Sequence, residues 1–369
     1  MAFTISPSPR VRRSPFFSAT VEDGVASFSP YNHMLMPTGY GDPEGEYWRL
    51  INGVSMWDVS VERQVEISGP DAANLVQILV PRKLDKLKVN VGWYVPICDH
   101  RGTIINDPIL LKLEENRYWF SIADSDMLLW TRAIAAEREL DVDIFEPDVS
   151  PLAIQGPKAD DVVAALLGES IREIKHFQFK PMSVDGIPLM VARSGWSKQG
   201  GFELYLMDAS RGYDLWQKIK VAGEPWGIGP GNPNAVERVE SGLLSWGGDT
   251  DDYTNPFEVR MERYVHLDAP DDVVGIKALR EIHAAGIKRH QVGVFINVDG
   301  QLEYIDRVSE LQMDGSVVGK ITAHAWSRRL KRNIGIALVN IDLTVGKTVE
   351  IVFQDGRVAN GITTELPFI

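Results

Sequence analysis

The pattern of apolar residues changes near residue 270, and this change constrains the fold more than any other feature of the sequence. Beyond that point, short β-type runs are separated by glycine and aspartate: HQVGVFI, SVVGKITA, NIGIALV and TVEIVF. Short strands divided by turn residues are typical of β-sandwiches and β-barrels. We therefore predict a mainly β, barrel-like C-terminal domain over residues 271–369.

The first 270 residues mix strand patterns with helix patterns. The strand-like runs are RQVEISG, WYVPICD, PILLKL, YWFSIAD and PLMVARSG. Two segments, GPDAANLVQILV and GPKADDVVAALLG, carry proline and aspartate near their starts, as helix N-termini do. Each follows a short strand, which is consistent with a duplicated strand–helix unit. We predict an α+β fold in which residues 1–270 form two interleaved α+β domains.

Charge and composition exclude several classes of protein. The net charge of −13 argues against a nucleic-acid partner, because neutralising phosphates requires a basic face. No run of about 18 apolar residues is present to span a membrane, and no apolar stretch follows the basic N-terminus as in a secretory signal. The single cysteine, Cys98, excludes an internal disulfide and paired-cysteine metal sites. We expect a cytoplasmic protein.

Two local basic segments stand out against this acidic chain: RVRR at 10–13 and SRRLKR at 327–332. Each could be a set of solvated surface charges or could contact the tail of an anionic ligand. Charge alone does not choose between these interpretations.

Common catalytic motifs are missing from the sequence. It contains no G-x-S-x-G elbow, no Walker loop and no H-E-x-x-H, and its seven histidines are scattered. Gly227, Gly229 and Gly231 have prolines between them and no preceding strand, so they do not form a dinucleotide fingerprint. We therefore expect no metal, and a hydrolase or metalloenzyme is disfavoured.

Carboxylates in unusual settings are the remaining candidates for chemistry. In GGFELYL, the alternation of a strand places Phe202 and Leu204 on one face and Glu203 and Tyr205 on the other. If that second face is solvent, Glu203 is unremarkable; if it lines a pocket, a carboxylate and an aromatic ring share one wall. Asp107, which precedes Pro108, either caps a turn or faces a ligand.

Arg238 and Glu240 fall on one predicted helix that follows Asn234. Asn234 and Glu237 have the spacing of a capping box at the start of this helix. A surface ion pair is the simplest interpretation of Arg238 and Glu240. The sequence pattern alone does not favour a functional role for either residue.

An ordered series of motifs resembles the T-protein (aminomethyltransferase) family of tetrahydrofolate-dependent enzymes. The motifs are GTIINDP, AIQGP, RSGWSKQGGFELY, ERVESGLLSWGGD and VGIKAL, and the match extends along nearly the whole chain. Within this family, YNHMLMP, ERQVEISG, SIADSD, NPFE and LPFI resemble the enzymes that demethylate dimethylsulfoniopropionate. The resemblance implies three domains in a clover-leaf around a central funnel that binds folate.

The resemblance also assigns roles to individual residues. Tyr94, Asp107, Glu203 and Arg238 match folate-binding positions, with Glu203 at the pterin amino edge and Asp107 near the reactive nitrogens as the catalytic group. Trp196, Tyr205 and Ser121 match positions around a sulfonium substrate. A cationic sulfur is well held by aromatic faces. The implied reaction moves a methyl group from dimethylsulfoniopropionate to N5 of tetrahydrofolate. Asp107 is expected to act by its charge rather than by proton transfer.

Other functions remain open at this point. An aminomethyltransferase of glycine cleavage is one, although T-proteins usually carry Asp-Asp where this chain has Asn106-Asp107. They also carry Thr-Gly-Glu where this chain has Ser197, Lys198 and Gln199. A sibling enzyme could demethylate another sulfonium or ammonium compound, and a folate-binding regulator could lack turnover altogether. A homodimer is compatible with the sequence, and either basic segment could meet a folate polyglutamate tail.

Overall fold

The computed structural model describes residues 8–302 and 309–369. The expectation about the N-terminal signal falls partly on residues 1–7, which lie outside the described residues. The chain divides into two compact units. Unit 1 comprises Met1–Ala73, Leu87–Trp93 and Ile109–Pro233, and unit 2 comprises Asn74–Lys86, Tyr94–Pro108 and Asn234–Ile369. The predicted domain boundary at residue 270 stays a prediction.

The α-helices are short, and several begin or end at the residues that the sequence indicates. Asn234 caps its helix by accepting hydrogen bonds from the backbone N–H groups of Val236 and Glu237, and Gly168 ends another helix with a positive φ. The predicted helices that follow Gly69 and Gly156 are confirmed. Within the described residues the helices are α1 (Phe17–Glu22), α2 (Pro43–Asn52), α3 (Ala72–Leu79), α4 (Met127–Glu137), α5 (Ala159–Leu167), α6 (Gly212–Gly223), α7 (Ala235–Glu240) and α8 (Ile276–Ala285).

The β-strands outnumber the helices in both units. The strands of the first half of the chain are β1 (Ser27–Tyr31), β2 (Met34–Gly39), β3 (Ser55–Asp58), β4 (Gln64–Ser68), β5 (Val91–Tyr94), β6 (Ile97–Cys98), β7 (Ile104–Asn106), β8 (Ile109–Glu114), β9 (Arg117–Ser121), β10 (Asp143–Phe145) and β11 (Ser150–Gln155). Those of the second half are β12 (Phe179–Val184), β13 (Ile187–Ala192), β14 (Gly201–Leu206), β15 (Gly229–Gly231), β16 (Arg289–Asn297), β17 (Ser309–Met313), β18 (Ser316–Ser327), β19 (Arg332–Asn340), β20 (Thr348–Val352) and β21 (Val358–Thr364).

Unit 1 contains two larger sheets. One has the strand order β12-β13-β14-β11-β3-β15, and the other has the order β10-β4-β9-β8-β5, of which Tyr94 belongs to unit 2. In the first sheet, β14 is a central strand with antiparallel neighbours on both sides. Its apolar face packs with α5 and α6 in a core that includes Phe202, Leu204, Val163 and Trp216. A central strand has no free edge, so the side chains of β14 are held in a fixed register.

Unit 2 contains the predicted C-terminal barrel. The strands β16-β19-β18-β17-β20-β21 form a closed sheet, because β16 pairs with both β19 and β21. Its interior is filled by aliphatic side chains such as Val294, Ile351 and Val339. The α+β class and the barrel-like C-terminal region are therefore confirmed. Across residues 8–302 and 309–369, no helix has the length and apolar character needed to cross a bilayer.

Candidate functional site

Glu203 lies on β14 and points away from the core formed by α5 and α6. The predicted alternation is confirmed, because Phe202 and Leu204 join that core whereas Tyr205 packs in a separate cluster with Trp119. Glu203 is only 5% exposed. Its face of the strand is therefore not open to solvent, and the carboxylate must be satisfied by other groups.

Two hydroxyl groups donate to the same oxygen of Glu203. Ser194 donates to Oε2 through its Oγ, and Tyr205 donates to Oε2 at 3.2 Å. Burial raises the pKa of Glu203 above its usual value, while the two hydroxyl donors lower it. Among the described residues no lysine or arginine forms a salt bridge with this carboxylate, so its charge is compensated by neutral donors alone.

Tyr205 and Ser121 belong to the same group of residues. The Tyr205 side chain is 0% exposed, and its ring centroid lies 6.1 Å from that of Trp119. Ser121 bonds to the Tyr205 hydroxyl and accepts a hydrogen bond from Gln64 Nε2 at 3.0 Å. Burial, and then the charge of Glu203, raise the pKa of Tyr205 far above its ordinary range, so the phenol keeps its proton for donation. We call Ser121, Ser194, Glu203 and Tyr205 the Glu203 cluster.

The loop that carries Ser194 and the part-buried Trp196 is held by Gln155. Gln155 Nε2 donates to the Ser194 carbonyl at 3.0 Å, and Gln155 Oε1 accepts from Ser197 Oγ at 2.8 Å. A Cβ on Gly195 would lie 2.0 Å from this amide, and one on Gly201 would lie 2.1 Å from the Ile154 carbonyl. Both glycines also have positive φ. Gly201, at the start of β14, therefore allows the backbone of β11 to approach closely.

Tyr94 and Asp107 form a second cluster, in unit 2. The Tyr94 hydroxyl donates to Asp107 Oδ2 at 2.7 Å, and the Tyr94 ring meets the edge of Tyr264 at a centroid distance of 5.2 Å. Burial raises the pKa of Asp107 to about 7, the hydroxyl of Tyr94 opposes this shift, and the charge of Asp249 adds to it. We call Tyr94, Asp107 and Tyr264 the Asp107 cluster. Its carboxylate changes charge near neutral pH.

Arg238 is buried, and the expected surface ion pair with Glu240 does not form. Its Nη1 donates to Asp249 Oδ2 at 2.6 Å and to the Leu243 carbonyl at 2.9 Å. Asp249 also accepts from Thr322 Oγ1 at 2.8 Å. The surface interpretation was wrong because α7 packs beside β18, and the buried Arg238 pairs with an acidic residue that lies beyond the end of the helix.

Glu240 pairs with the second basic segment. Its carboxylate accepts hydrogen bonds from Ser327 Oγ at 2.6 Å and from the Arg329 guanidinium. In the first basic segment, Arg12 pairs with Glu146 at 2.8 Å, and Arg13 lies 4.6 Å above the Phe17 ring. Arg329 is therefore a structural cation.

The structure thus brings the candidate residues into two groups. Ser121, Trp196, Glu203 and Tyr205 belong to unit 1, whereas Tyr94, Asp107 and Arg238 belong to unit 2. The sequence reasoning missed Ser194, Gln155, Tyr264 and Asp249. Ser194, Gln155 and Asp249 were visible inside the quoted motifs, whereas no local signal indicated Tyr264. Within the described ranges, no three histidine, cysteine or acidic side chains are grouped to hold a metal ion.

Comparison with known families assigns both parts of the chain. Residues 17–269 match the GCVT N-terminal domain, and residues 289–369 match the glycine cleavage T-protein C-terminal barrel domain. The α+β region followed by a closed barrel agrees with these two matches. The chain belongs to the glycine cleavage T-protein family.

Individual relatives refine this placement. The chain is 41% identical to the dimethylsulfoniopropionate demethylase DmdA of Ruegeria pomeroyi, over 91% of this chain and 92% of the relative. It is 28% identical to an aminomethyltransferase of Thermoanaerobacter pseudethanolicus, over 87% of this chain and 88% of that protein. The crystal structure of the glycine cleavage system aminomethyltransferase T from Bartonella henselae superposes with a TM-score of 0.84 at 21% identity, covering 97% of this chain and 98% of that one. This last likeness shows a shared fold.

Proposed function

We propose that this protein is a tetrahydrofolate-dependent methyltransferase that demethylates dimethylsulfoniopropionate. The methyl carbon moves from sulfur to N5 of tetrahydrofolate, and sulfur keeps the electron pair of the broken bond. The proton on N5 then passes to water. The products are 3-(methylthio)propionate and 5-methyltetrahydrofolate.

The observation that carries this proposal is the 41% identity with a dimethylsulfoniopropionate demethylase over nine-tenths of both chains. The aminomethyltransferase of Thermoanaerobacter pseudethanolicus reaches 28%. The loss of one acidic residue at each of two positions, Asn106 and Gln199, points the same way. A sibling activity on another sulfonium or ammonium compound is the main alternative.

The Glu203 cluster fits one edge of a pterin. The amino edge of a pterin presents adjacent N–H donors, which suit a carboxylate acceptor. Glu203 is buried, and its Oε2 is engaged by Ser194 and Tyr205. A ligand with N–H donors would stabilise the charged form of Glu203 where burial disfavours it. We therefore assign Glu203 to folate binding, together with Tyr94 and Arg238 of unit 2.

Asp107 is proposed as the catalytic group. Methyl transfer from a sulfonium needs no proton for the leaving group, because sulfur departs as a neutral thioether. Positive charge develops at N5 as the new bond forms, and a carboxylate held nearby stabilises it. Tyr94 orients Asp107 through the 2.7 Å hydrogen bond. Because burial raises the pKa of Asp107 to about 7, this charge is progressively lost as the pH falls through about 7.

The sulfonium is proposed to contact Trp196, with Ser121 and Tyr205 nearby. A cation over an indole face gains about 0.5–2 kcal/mol, more when water is excluded. Desolvating and aiming the two reactants can contribute roughly 7–11 kcal/mol to lowering the barrier. Trp196 lies between β13 and β14, in the loop that Gln155 holds. The same loop would therefore position Trp196 beside the substrate and Ser194 beside Glu203.

The decisive test is turnover of purified protein with tetrahydrofolate under anaerobic conditions. The substrates are dimethylsulfoniopropionate, a panel of other sulfonium and quaternary ammonium compounds, and an aminomethyl-lipoyl carrier protein. We expect 5-methyltetrahydrofolate and 3-(methylthio)propionate from dimethylsulfoniopropionate, with or without a chelator. Faster methyl transfer from another cation would establish a sibling demethylase, and methylenetetrahydrofolate from the carrier would establish an aminomethyltransferase.

A cytoplasmic location and a homodimer are also proposed for this chain. Fractionation of the source cells would test the location, and light scattering on the purified protein would test the dimer. Binding to neither nucleic acid nor membranes is expected, in keeping with the net charge of −13. Retention of the protein on DNA at moderate ionic strength would contradict this expectation.

A further inference from the structure

The two carboxylate oxygens of Glu203 have different surroundings. Oε2 receives the hydroxyls of both Ser194 and Tyr205, whereas no described residue donates a hydrogen bond to Oε1. Glu203 Oε1 is not among the fully buried side-chain atoms that lack a hydrogen-bond partner, so this oxygen keeps some access for a ligand. We propose that Ser194 and Tyr205 are positioning residues that hold Oε2 and leave Oε1 to the N–H donors of the pterin. This inference rests on the proposed function, because the pterin is its ligand.

The strands beside Glu203 supply no competing donors. Its partners across the sheet are Ala192 on β13 and Ala153 on β11, whose side chains are small and apolar. Arg193, which directly precedes Ser194, pairs with Asp160 and lies 4.4 Å above the Phe202 ring, which belongs to the opposite face of β14. The hydroxyl groups are therefore the protein groups that favour a charged Glu203.

The groups that face Tyr205 come from the other sheet of unit 1. Ser121 on β9 bonds to the phenol, and the acidic side chain of Glu62 raises the pKa of Tyr205 further. Gln64 on β4 donates to Ser121. None of these groups is a cation, so Tyr205 remains protonated and can act only as a donor to Glu203.

Both donors are fixed before any ligand binds. Ser194 is held through its backbone, because Gln155 donates to its carbonyl at 3.0 Å. Tyr205 is held through its ring, which packs on Trp119 in an apolar cluster with Met190 and Phe179. A preorganised acceptor binds without first losing side-chain freedom. Removing either hydroxyl group should therefore change the pKa of Glu203 more than it changes the fold.

The proposal predicts how binding depends on pH. A charged Glu203 accepts hydrogen bonds from the pterin, and a protonated one does not, so affinity falls as pH falls through the pKa of Glu203. Burial raises this pKa, and each hydroxyl lowers it. Removing one donor should therefore move the loss of affinity to higher pH, by about one to two pH units for a hydrogen bond to a charged group.

The test measures tetrahydrofolate affinity by anaerobic calorimetry from acidic to alkaline pH. Ser194→Ala and Tyr205→Phe should both shift the midpoint upward, and their affinities should approach the wild-type value at alkaline pH. Ser194→Thr keeps a hydroxyl and should keep the wild-type midpoint. Ser197→Ala is the matched control, because this hydroxyl of the same loop donates to Gln155 at 2.8 Å rather than to Glu203. Its midpoint should not move.

The outcomes separate this inference from the function on which it rests. Wild-type protein that binds no tetrahydrofolate at any pH would overturn the proposed function. Wild-type binding combined with unshifted midpoints in Ser194→Ala and Tyr205→Phe would overturn the positioning role alone, even if both variants bound uniformly more weakly. A shift in Ser194→Thr as large as that in Ser194→Ala would also count against it. Should Ser194→Ala not fold, Tyr205→Phe decides, since it retains the ring that packs on Trp119.

Discussion

The Glu203 cluster of unit 1 and the region around Asp249 in unit 2 both bury carboxylates, but they compensate the charge differently. Glu203 receives only hydroxyl donors, from Ser194 and Tyr205. Asp249 is 0% exposed and is paired with Arg238 at 2.6 Å. A buried ion pair is a complete structural unit, whereas a buried carboxylate without a cation is costly unless a ligand or a proton joins it. The two carboxylates therefore differ in whether the protein itself supplies a cation that compensates their charge.

The same contrast occurs within unit 2, between Asp107 and Asp251. Asp251 accepts hydrogen bonds from Arg289 and Lys320, which lower its pKa well below the usual value. Asp107 accepts from the Tyr94 hydroxyl, and burial raises its pKa to about 7. A pKa shift that disfavours the charged form is the more informative sign of function. The opposite shift, which favours the charged form, is also produced by ion pairs in structural networks.

The largest expected effect is on stability, at the arginine-paired carboxylate. Asp249→Ala leaves Arg238 buried without its acidic partner, and breaking a buried pair in this way costs about 3–5 kcal/mol. We expect a large decrease in the denaturant midpoint of unfolding. Asp355→Ala is the control, because the Arg357–Asp355 pair is about half exposed and should change stability by less than about 1 kcal/mol. Equal effects of the two substitutions would show that the buried Asp249–Arg238 pair contributes no more to stability than an exposed pair.

The next effect is on ligand affinity, at the hydroxyl-held carboxylate. Glu203→Gln replaces an acceptor with a group that partly donates, opposite N–H donors of the pterin. We expect a loss of tetrahydrofolate affinity of about 2–5 kcal/mol in calorimetry, with the unfolding midpoint unchanged or raised. Glu137→Gln, on the exposed side of α4, should leave affinity unchanged. Unaltered folate binding in Glu203→Gln would show that the buried carboxylate is structural.

Removing the charge of Asp107 should slow the chemical step. Asp107→Asn is expected to reduce the single-turnover rate by about 10²–10³-fold without abolishing it, as for loss of one preorganised electrostatic group. The wild-type rate should fall as pH falls through about 7, the pKa to which burial raises Asp107. In Asp107→Asn this acidic limb should be absent. If the rate of the variant still falls at the same pH, the titration of another group causes this decrease.

The raised pKa of Asp107 also has a consequence for stability. The folded state holds its proton at pH values where the unfolded chain has released it, so this carboxyl costs stability as pH rises from about 4 towards 7. Asp107→Asn should therefore be at least as stable as wild type at alkaline pH, in the absence of ligand. A lower melting temperature there would mean that the Tyr94 hydrogen bond outweighs the cost of burying the charge.

The smallest effect is expected at Trp196, which is proposed to contact the sulfonium. Trp196→Leu keeps an apolar side chain but removes the aromatic face, so affinity for dimethylsulfoniopropionate should fall roughly ten-fold. The uncharged product 3-(methylthio)propionate serves as the control ligand, and its affinity should change little. If both ligands weaken equally, Trp196 shapes the pocket without recognising charge.

Much of the architecture could be predicted from local patterns. The alternation in GGFELYL correctly separated Phe202 and Leu204 from Glu203 and Tyr205, and the runs after residue 270 correctly indicated a barrel. The partners of the charged residues could not be predicted in this way. Arg238 and Glu240 lie within one turn of the same helix, yet they pair with Asp249 and Arg329, respectively.

The sequence by itself determined which residues alternate along strands, where helices begin and end, and to which family the motifs point. These properties depend on backbone geometry and on neighbours a few residues apart. Only the tertiary structure decided which carboxylates are neutralised and which are not. Desolvation and pairing depend on groups brought together from distant segments, as Thr322 is with Asp249. For the same reason the sequence suggested an ionised Asp107 at neutral pH, whereas its burial in the folded chain places its pKa near 7.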